Sequence, residues 1–296
     1  MSSPQSVPGA QLRGRRVFLA ASIPSAKRSS SFQRVPGAHV WIPEAVIALT
    51  RAILSHGGEL VMGAHPTISP LIAQVAGEYR VPAVVEGDGS AGPVPGERRE
   101  PVSPPIIIYQ SRAFEHHVPK ETLFLENLGY ARLIWTDVIG NEKFNPKSRS
   151  RKPPVPKSLR HMRERMLGET KPDGMVCIGG MEGVLDEARL FAELRPGARI
   201  YALASTGGAA SLLSDQPVLA NKVRTIDSEI LLDLAQLRSE FPIGLEGEPT
   251  EKSDDRRSQI PPEAIAYPLV MQTIVDELGE ASDLGTPVRR GPTQDR

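Results

Sequence analysis

A chain of 296 residues, 40% hydrophobic and 24% charged, is long enough for one large α/β domain or two small ones. Lys plus Arg and Asp plus Glu number 35 each and aromatics are only 5%, so neither a positive field nor aromatic interleaving points to nucleic acid. The single cysteine, Cys177, excludes an internal disulfide and fits a cytoplasmic protein, while the lack of a leader-type start or of an apolar run near the roughly 20 residues of a span argues against export and membrane.

Residues 1–14 are small and polar and read as a disordered tail. Arg16 to Ser22 is an apolar run ending in small residues, suited to a buried first strand. Ile23 to Val40 reads as a loop. Pro43 then stands at the first turn of a helix whose Ala45, Val46, Leu49, Ile53 and Leu54 recur at helical spacing, and Gly57-Gly58 stops it. Glu59 to Gly63 reads as a second strand, Ile68 to Tyr79 as a helix and Val81 to Val85 as a short strand. Glu86 to Pro105 is rich in Gly, Pro and charge, the composition of an exposed insertion. Ile106 to Tyr109 is a β-branched strand with Arg112 just past its end; Pro119 to Leu128 is helical and Ala131 to Trp135 is a strand.

Residues 143–165 carry nine Lys or Arg against one acid, Glu164. Prolines keep the first half extended, and Ser158 is placed to cap a basic helix that runs to Leu167. Met175 to Ile178 is a strand that ends in Gly179-Gly180-Met181-Glu182-Gly183, and the helix that follows has Asp186 and Glu187 in its first turns. Arg199 to Leu203 is a strand ending in Ser205-Thr206-Gly207-Gly208, a second small-residue turn entering a helix. Val223 to Ile226 reads as a last strand and Ser228 to Arg238 as a helix. Residues 244–263 are linker, 264–280 a helix that docks on the body, and 281–296 a disordered tail.

Strands alternating with helices predict a mainly parallel sheet with helices on both faces, in one domain over residues 15–243. Such sheets bind ligands outside the carboxyl ends of their strands. Four strand ends of the right composition converge there: Ser22, Gly63, Gly179-Gly180 and Ser205-Thr206-Gly207-Gly208. Glycines let the backbone reach positive φ or approach a ligand, and the first amides of a helix welcome an anion. Met181, Glu182 and Gly183 share that turn. Arg112, Arg160 and Arg163 are candidate phosphate partners, and Glu187 or its neighbour Asp186 could meet a sugar hydroxyl or a reacting carbon. The basic segment could close over a polyanion. His116-His117 is adjacent, so the rings diverge, and Cys177 lies mid-strand; no metal and no cofactor are expected. The absence of a Gly-x-Ser-x-Gly elbow disfavours a serine hydrolase.

The run Gly179-Gly180-Met181-Glu182-Gly183-Val184-Leu185-Asp186-Glu187, with Gly57 to Gly63 and Ser205 to Gly208, resembles the SLOG superfamily, the Rossmann-like group of LOG phosphoribohydrolases and DprA proteins. LOG enzymes carry Pro-Gly-Gly-x-Gly-Thr-x-x-Glu and an upstream helical arginine that acts with the glutamate. By that resemblance Arg163, or its neighbour Arg160, and Glu187 are the catalytic pair of a hydrolase. Here the proline position is Ile178, the threonine position is Val184 and the glycines are one residue further apart. The pattern is closer to SLOG branches found beside TIR or Sir2-like effectors in bacterial antiviral defence. That resemblance implies a sensor of a nucleotide or ADP-ribose-derived messenger, such as cyclic ADP-ribose, which forms a homo-oligomer and acts through a separate effector. The alternative is a LOG-like nucleoside 5′-monophosphate phosphoribohydrolase.

Overall fold

Between Arg16 and Ser22 every side chain is apolar, as a strand covered on both faces requires. In the computed structural model, which describes residues 11–24, 32, 37–79, 104–146, 154–228, 230 and 265–280, this run is β1 (Arg16–Ser22), the middle strand of seven. The others are β2 (Glu59–Gly63), β3 (Ile106–Ser111), β4 (Ala131–Thr136), β5 (Gly174–Gly179), β6 (Arg199–Leu203) and β7 (Val223–Arg224). All pairings are parallel, in the order β4-β3-β2-β1-β5-β6-β7. Six helices have both ends among the described residues, namely α1 (Ala38–Ser55), α2 (Ser69–Ala76), α3 (Lys120–Asn127), α4 (Pro156–Thr170), α5 (Glu182–Leu194) and α6 (Tyr267–Glu280), and a further helical turn begins at Ile226.

Alternate side chains of each strand point to opposite faces. Val17, Leu19, Leu60, Ile108 and Ile178 face one core, which α1, α2, α3 and α6 complete with Ile42, Val46, Ile72, Leu125 and Ile274. Phe18, Ala20, Val61, Ile107 and Cys177 face the other, under Met162 and Met166 of α4 and Phe191 of α5. Phe18 and Phe191 stack with centroids 6.4 Å apart. The chain walks outward from β1 through β2 and β3 to β4 with helices on the first face. It then crosses back beneath the second face through α4 to pair β5 with β1. Right-handed crossovers require that change of face when the direction of travel reverses.

Some local expectations give way to this packing. α1 starts at Ala38 rather than at Pro43, which lies inside it. Gly37 (φ 83°) turns the chain into the helix and lies under the Trp41 ring, and the buried stripe from Ala38 to Ile53 outweighs the one hydrogen bond that Pro43 removes. Ser158 does not cap α4. The helix starts two residues earlier, so the buried Ser158 Oγ instead accepts the amide of Ile139 at 3.0 Å. The cap is Glu142, whose carboxylate accepts the amides of Lys157 and Ser158 at 3.0 and 2.8 Å. After β6, positive φ at Gly207 and Gly208 breaks the expected helix into two 3₁₀ turns, Ala204–Thr206 and Ala210–Leu212. The last strand is shorter than expected, at Val223–Arg224. The terminal tails, the strand at 81–85, most of the insertion that follows it, the basic stretch 147–153, most of the 228–238 helix and the linker fall outside the described residues.

α6 closes the first core against α1, and one carboxylate anchors its far end. Glu277 accepts Arg199 Nη1 at 2.8 Å and Tyr201 Oη at 3.1 Å, and also pairs with Arg224, so β6 and β7 both hold the helix. Replacing Glu277 by Ala should lower the stability of the chain by about 1–2 kcal/mol. Urea denaturation would test this: an unchanged midpoint would mean that the apolar face of α6 alone sets its docking.

Candidate functional site

β1 and β5 are neighbours from which the chain departs in opposite directions, which makes their carboxyl ends the topological switch point of the sheet. Ser22 and Gly179 stand there in register. The glycine turns on this edge are joined to each other. Gly179 (φ 59°) donates its amide to Thr206 Oγ1 at 2.8 Å, and that hydroxyl donates to the carbonyl of Leu203 at 2.6 Å. Gly180 (φ 86°) donates to the carbonyl of Ser22 at 2.8 Å and accepts the amide of Ala209 at 3.0 Å. A Cβ on Gly208 (φ 62°) would lie 2.5 Å from the Gly180 oxygen. The glycines at 179, 180 and 208 therefore have a packing cause: a Cβ would meet Ile42 and the Ser22 carbonyl at the first, the Val184 side chain at the second and the Gly180 backbone at the third.

Beyond Gly180 the turn opens toward α5. Met181 precedes the helix in extended conformation and makes no side-chain cap. Among the described residues no acceptor meets the amides of Met181, Glu182 and Gly183. Val184 folds back over Gly180, where a Cβ would come within 2.3 Å of Cγ2. One turn further, Glu187 accepts Nε of Arg163 at 2.9 Å, with Asp186 Oδ2 3.9 Å from Arg163 Nη1. The Arg163 and Glu187 side chains are 14% and 16% exposed, whereas Asp186 is 48% exposed; the structure thus turns Glu187 inward. Nη2 of Arg163 lies 3.0 Å from where a Cβ of Gly183 would be, so this glycine leaves room for the guanidinium over the first turn of α5. Burial pushes the Glu187 carboxyl above the usual glutamate range, against the opposing pull of Arg163's charge and hydrogen bond, and Asp186 adds to the rise. Burial likewise raises the Cys177 thiol in the strand beneath.

The remaining candidates sit apart from this pair. Gly63 ends β2, near the Met162 methyl. Arg112 follows β3, pairs with Glu115 at 3.1 Å and lies over the Trp135 ring at 5.7 Å. Arg160 is exposed on α4 and pairs with Glu164 at 2.8 Å. Ser205 faces Tyr267, its Oγ 3.3 Å from the phenol oxygen, and its amide and that of Ala204 donate to Asp227 at 2.7 and 3.1 Å. Asp227 is fully buried, and that burial holds its carboxyl above the usual range despite these donors. Neither Asp227 nor Glu142 was singled out in the sequence, because each acts on amides distant along the chain. Among the described residues no cluster of three or more His, Cys, Asp or Glu could hold a metal ion, and no helix is long and apolar enough to cross a membrane. A hollow of about 290 Å³ lies at the opposite, amino edge of the sheet, lined by Arg15, Asp173, Arg195 and Leu278. Its charges have partners in the chain: Arg15 pairs with Asp173 at 2.7 Å and Arg195 donates to the Pro172 carbonyl, beside the carboxyl ends of α4 and α5.

Residues 96–235 match the model of the SLOG cluster3 family. The matched segment is slightly less than half of the chain and holds β3 to β7, both glycine turns, and the Arg163–Glu187 pair. No curated protein matches the chain.

Two substitutions separate tight glycines from loose ones. Gly208→Ala should cost about 2 kcal/mol or more, because it adds a clash with backbone at a positive φ. Gly197→Ala, where a Cβ meets nothing within 4 Å, should stay within about 0.5 kcal/mol of the parent. Equal denaturation midpoints for the two would refute the packing account. Glu187 also makes stability depend on pH. With its folded value raised, the folded state binds the extra proton, so stability falls as pH climbs from the ordinary glutamate range through the raised value and levels off above it. Glu187→Gln should flatten that decline in stability measured against pH; a parallel profile would disprove the assignment.

Proposed function

We propose that the chain is a binding module for a nucleotide-derived ligand, with a phosphate held by the first-turn amides of α5 and Arg163. The observation that carries this reading is the meeting of three amides without acceptors among the described residues with a mostly buried guanidinium, beside the switch point of a parallel sheet. Helix dipole and arginine then act on the same anion, and Glu182 and Asp186 stand near enough in sequence to accept ribose hydroxyls. The resemblance to SLOG branches beside TIR or Sir2-like effectors supports an ADP-ribose-type messenger as the ligand. It also supports a role in bacterial defence or signalling in the cytoplasm, with output through a separate effector or through homo-oligomer assembly.

The second reading is a LOG-like phosphoribohydrolase, favoured by the 2.9 Å contact of Arg163 with Glu187. In that chemistry the carboxylate would face the anomeric carbon while water replaces the base. We rank it second because Val184 presents hydrocarbon where the LOG pattern has a hydroxyl.

Calorimetry with AMP, ADP-ribose and cyclic ADP-ribose isomers discriminates between them. At least one member should bind without release of free base, and Arg163→Gln should weaken that binding about 10- to 100-fold. Base release that Glu187→Gln abolishes would establish the hydrolase instead, and no heat with any member would remove the nucleotide reading.

A further inference from the structure

We propose that the carboxyl ends of β3 and β4 form a second binding site, one that takes the flat face and polar edge of a nitrogen heterocycle such as a purine. Thr136 ends β4 and pairs in register with Ser111 at the end of β3. Both side chains are fully buried. By strand alternation they share the face of Ile107, Tyr109 and Ile134, which is the face that α4 covers. Ser111 Oγ is occupied, since it accepts the amide of Ala113 at 3.3 Å. Thr136 Oγ1 has no hydrogen-bond partner, and it is the one buried side-chain polar atom in that state among the described residues. Shutting a hydroxyl away from water without a hydrogen bond costs folding free energy, so this one points to a ligand group that completes it.

Aromatic rings gather at the same two strand ends. Phe114 and His117 belong to the 3₁₀ turn Arg112–His117 that follows β3, and Phe144 to the loop that follows β4. The Phe144 ring centroid lies 4.7 Å from that of Phe114 and 4.9 Å from that of His117, the second contact edge to face. No residue of the 3₁₀ turn is buried, so these rings meet near the surface rather than in a core. Ile139 and Glu142 tie the loop to the start of α4, which keeps Phe144 on the side of the sheet that carries Thr136. A purine-type ring suits both halves of the site. It enters between Phe114 and Phe144 and stacks on them, while its edge bonds the Thr136 hydroxyl. A hydrocarbon ring would leave that hydroxyl unbonded, and a simple anion would gain nothing from the rings. β4 is four strands from β5, about 19 Å at the usual spacing of about 4.8 Å, so the site is separate from the first turn of α5 and stands apart from the phosphate reading.

Ligand-detected NMR of the full chain with adenosine, which carries the ring but no phosphate, tests the proposal. Adenosine should bind with a Kd below about 10 mM, and an excess of inorganic phosphate should not displace it. Phe144→Ala and Thr136→Val should each weaken the binding about tenfold. Thr136→Val should also leave the denaturation midpoint unchanged or raise it, because it removes an unbonded hydroxyl and keeps the shape of the side chain. No binding up to about 10 mM overturns the proposal. So does displacement by phosphate, which would put adenosine at α5, or parent-like affinity in either variant. A midpoint lowered by Thr136→Val overturns it as well, since the hydroxyl would then already be bonded in the unliganded chain. Binding of AMP without binding of adenosine sinks this site and leaves the phosphate reading standing, and the reverse result sinks the phosphate reading alone.

Discussion

At the carboxyl edge of the sheet the turn after β5 and the turn after β6 meet with no side chain between them. The Gly180 carbonyl accepts the Ala209 amide at 3.0 Å, and Gly208 comes so close to that oxygen that a methyl group has no room. The position of α5 follows from this contact. Because Gly180 is held from both sides, by Ser22 and by Ala209, the helix leaves it in one direction. Val184 then closes over the turn, Gly183 slips under a guanidinium, and Glu187 arrives one turn later opposite α4.

That opposition defines the electrostatics of the site. A carboxylate and a guanidinium that are each about one-seventh exposed have lost most of their hydration and depend on one another for compensation. Any anion that draws Arg163 toward the first turn of α5 leaves Glu187 with less to balance its charge, so it takes up a proton more readily. On the binding reading proposed above, anion binding and proton uptake at this place would be two aspects of one equilibrium. Asp186 shifts it further in the same direction.

Much of the architecture was legible in the sequence because its signals are local. Apolar runs such as Ile106–Tyr109 and Met175–Ile178 have no polar alternation, which only a sheet covered on both faces tolerates. The pairing of Arg163 with Glu187 was reached through the family pattern, and the geometry brings those two side chains together. What the glycines face was not legible. A glycine that admits a phosphate and one that admits another peptide look alike in a sequence, and only coordinates show Gly208 against Gly180. Asp227 and Glu142 were missed for a related reason, since their partners lie 23 and 15 residues away and no short motif joins them. Helix starts were misplaced where a left-handed residue, Gly37 or Val155, begins the helix ahead of the proline or serine that normally marks it.

α6 has a bearing on how the chain is made. It belongs to the same core as α1 and β1, yet it is translated after every strand of the sheet. On the ribosome the part of α1 that faces α6, rather than the sheet or α2, stays uncovered until α6 emerges and Glu277 reaches Arg199 and Arg224. A chain shortened before α6 would therefore carry the whole sheet with part of its first core exposed, a sticky product rather than a smaller working domain.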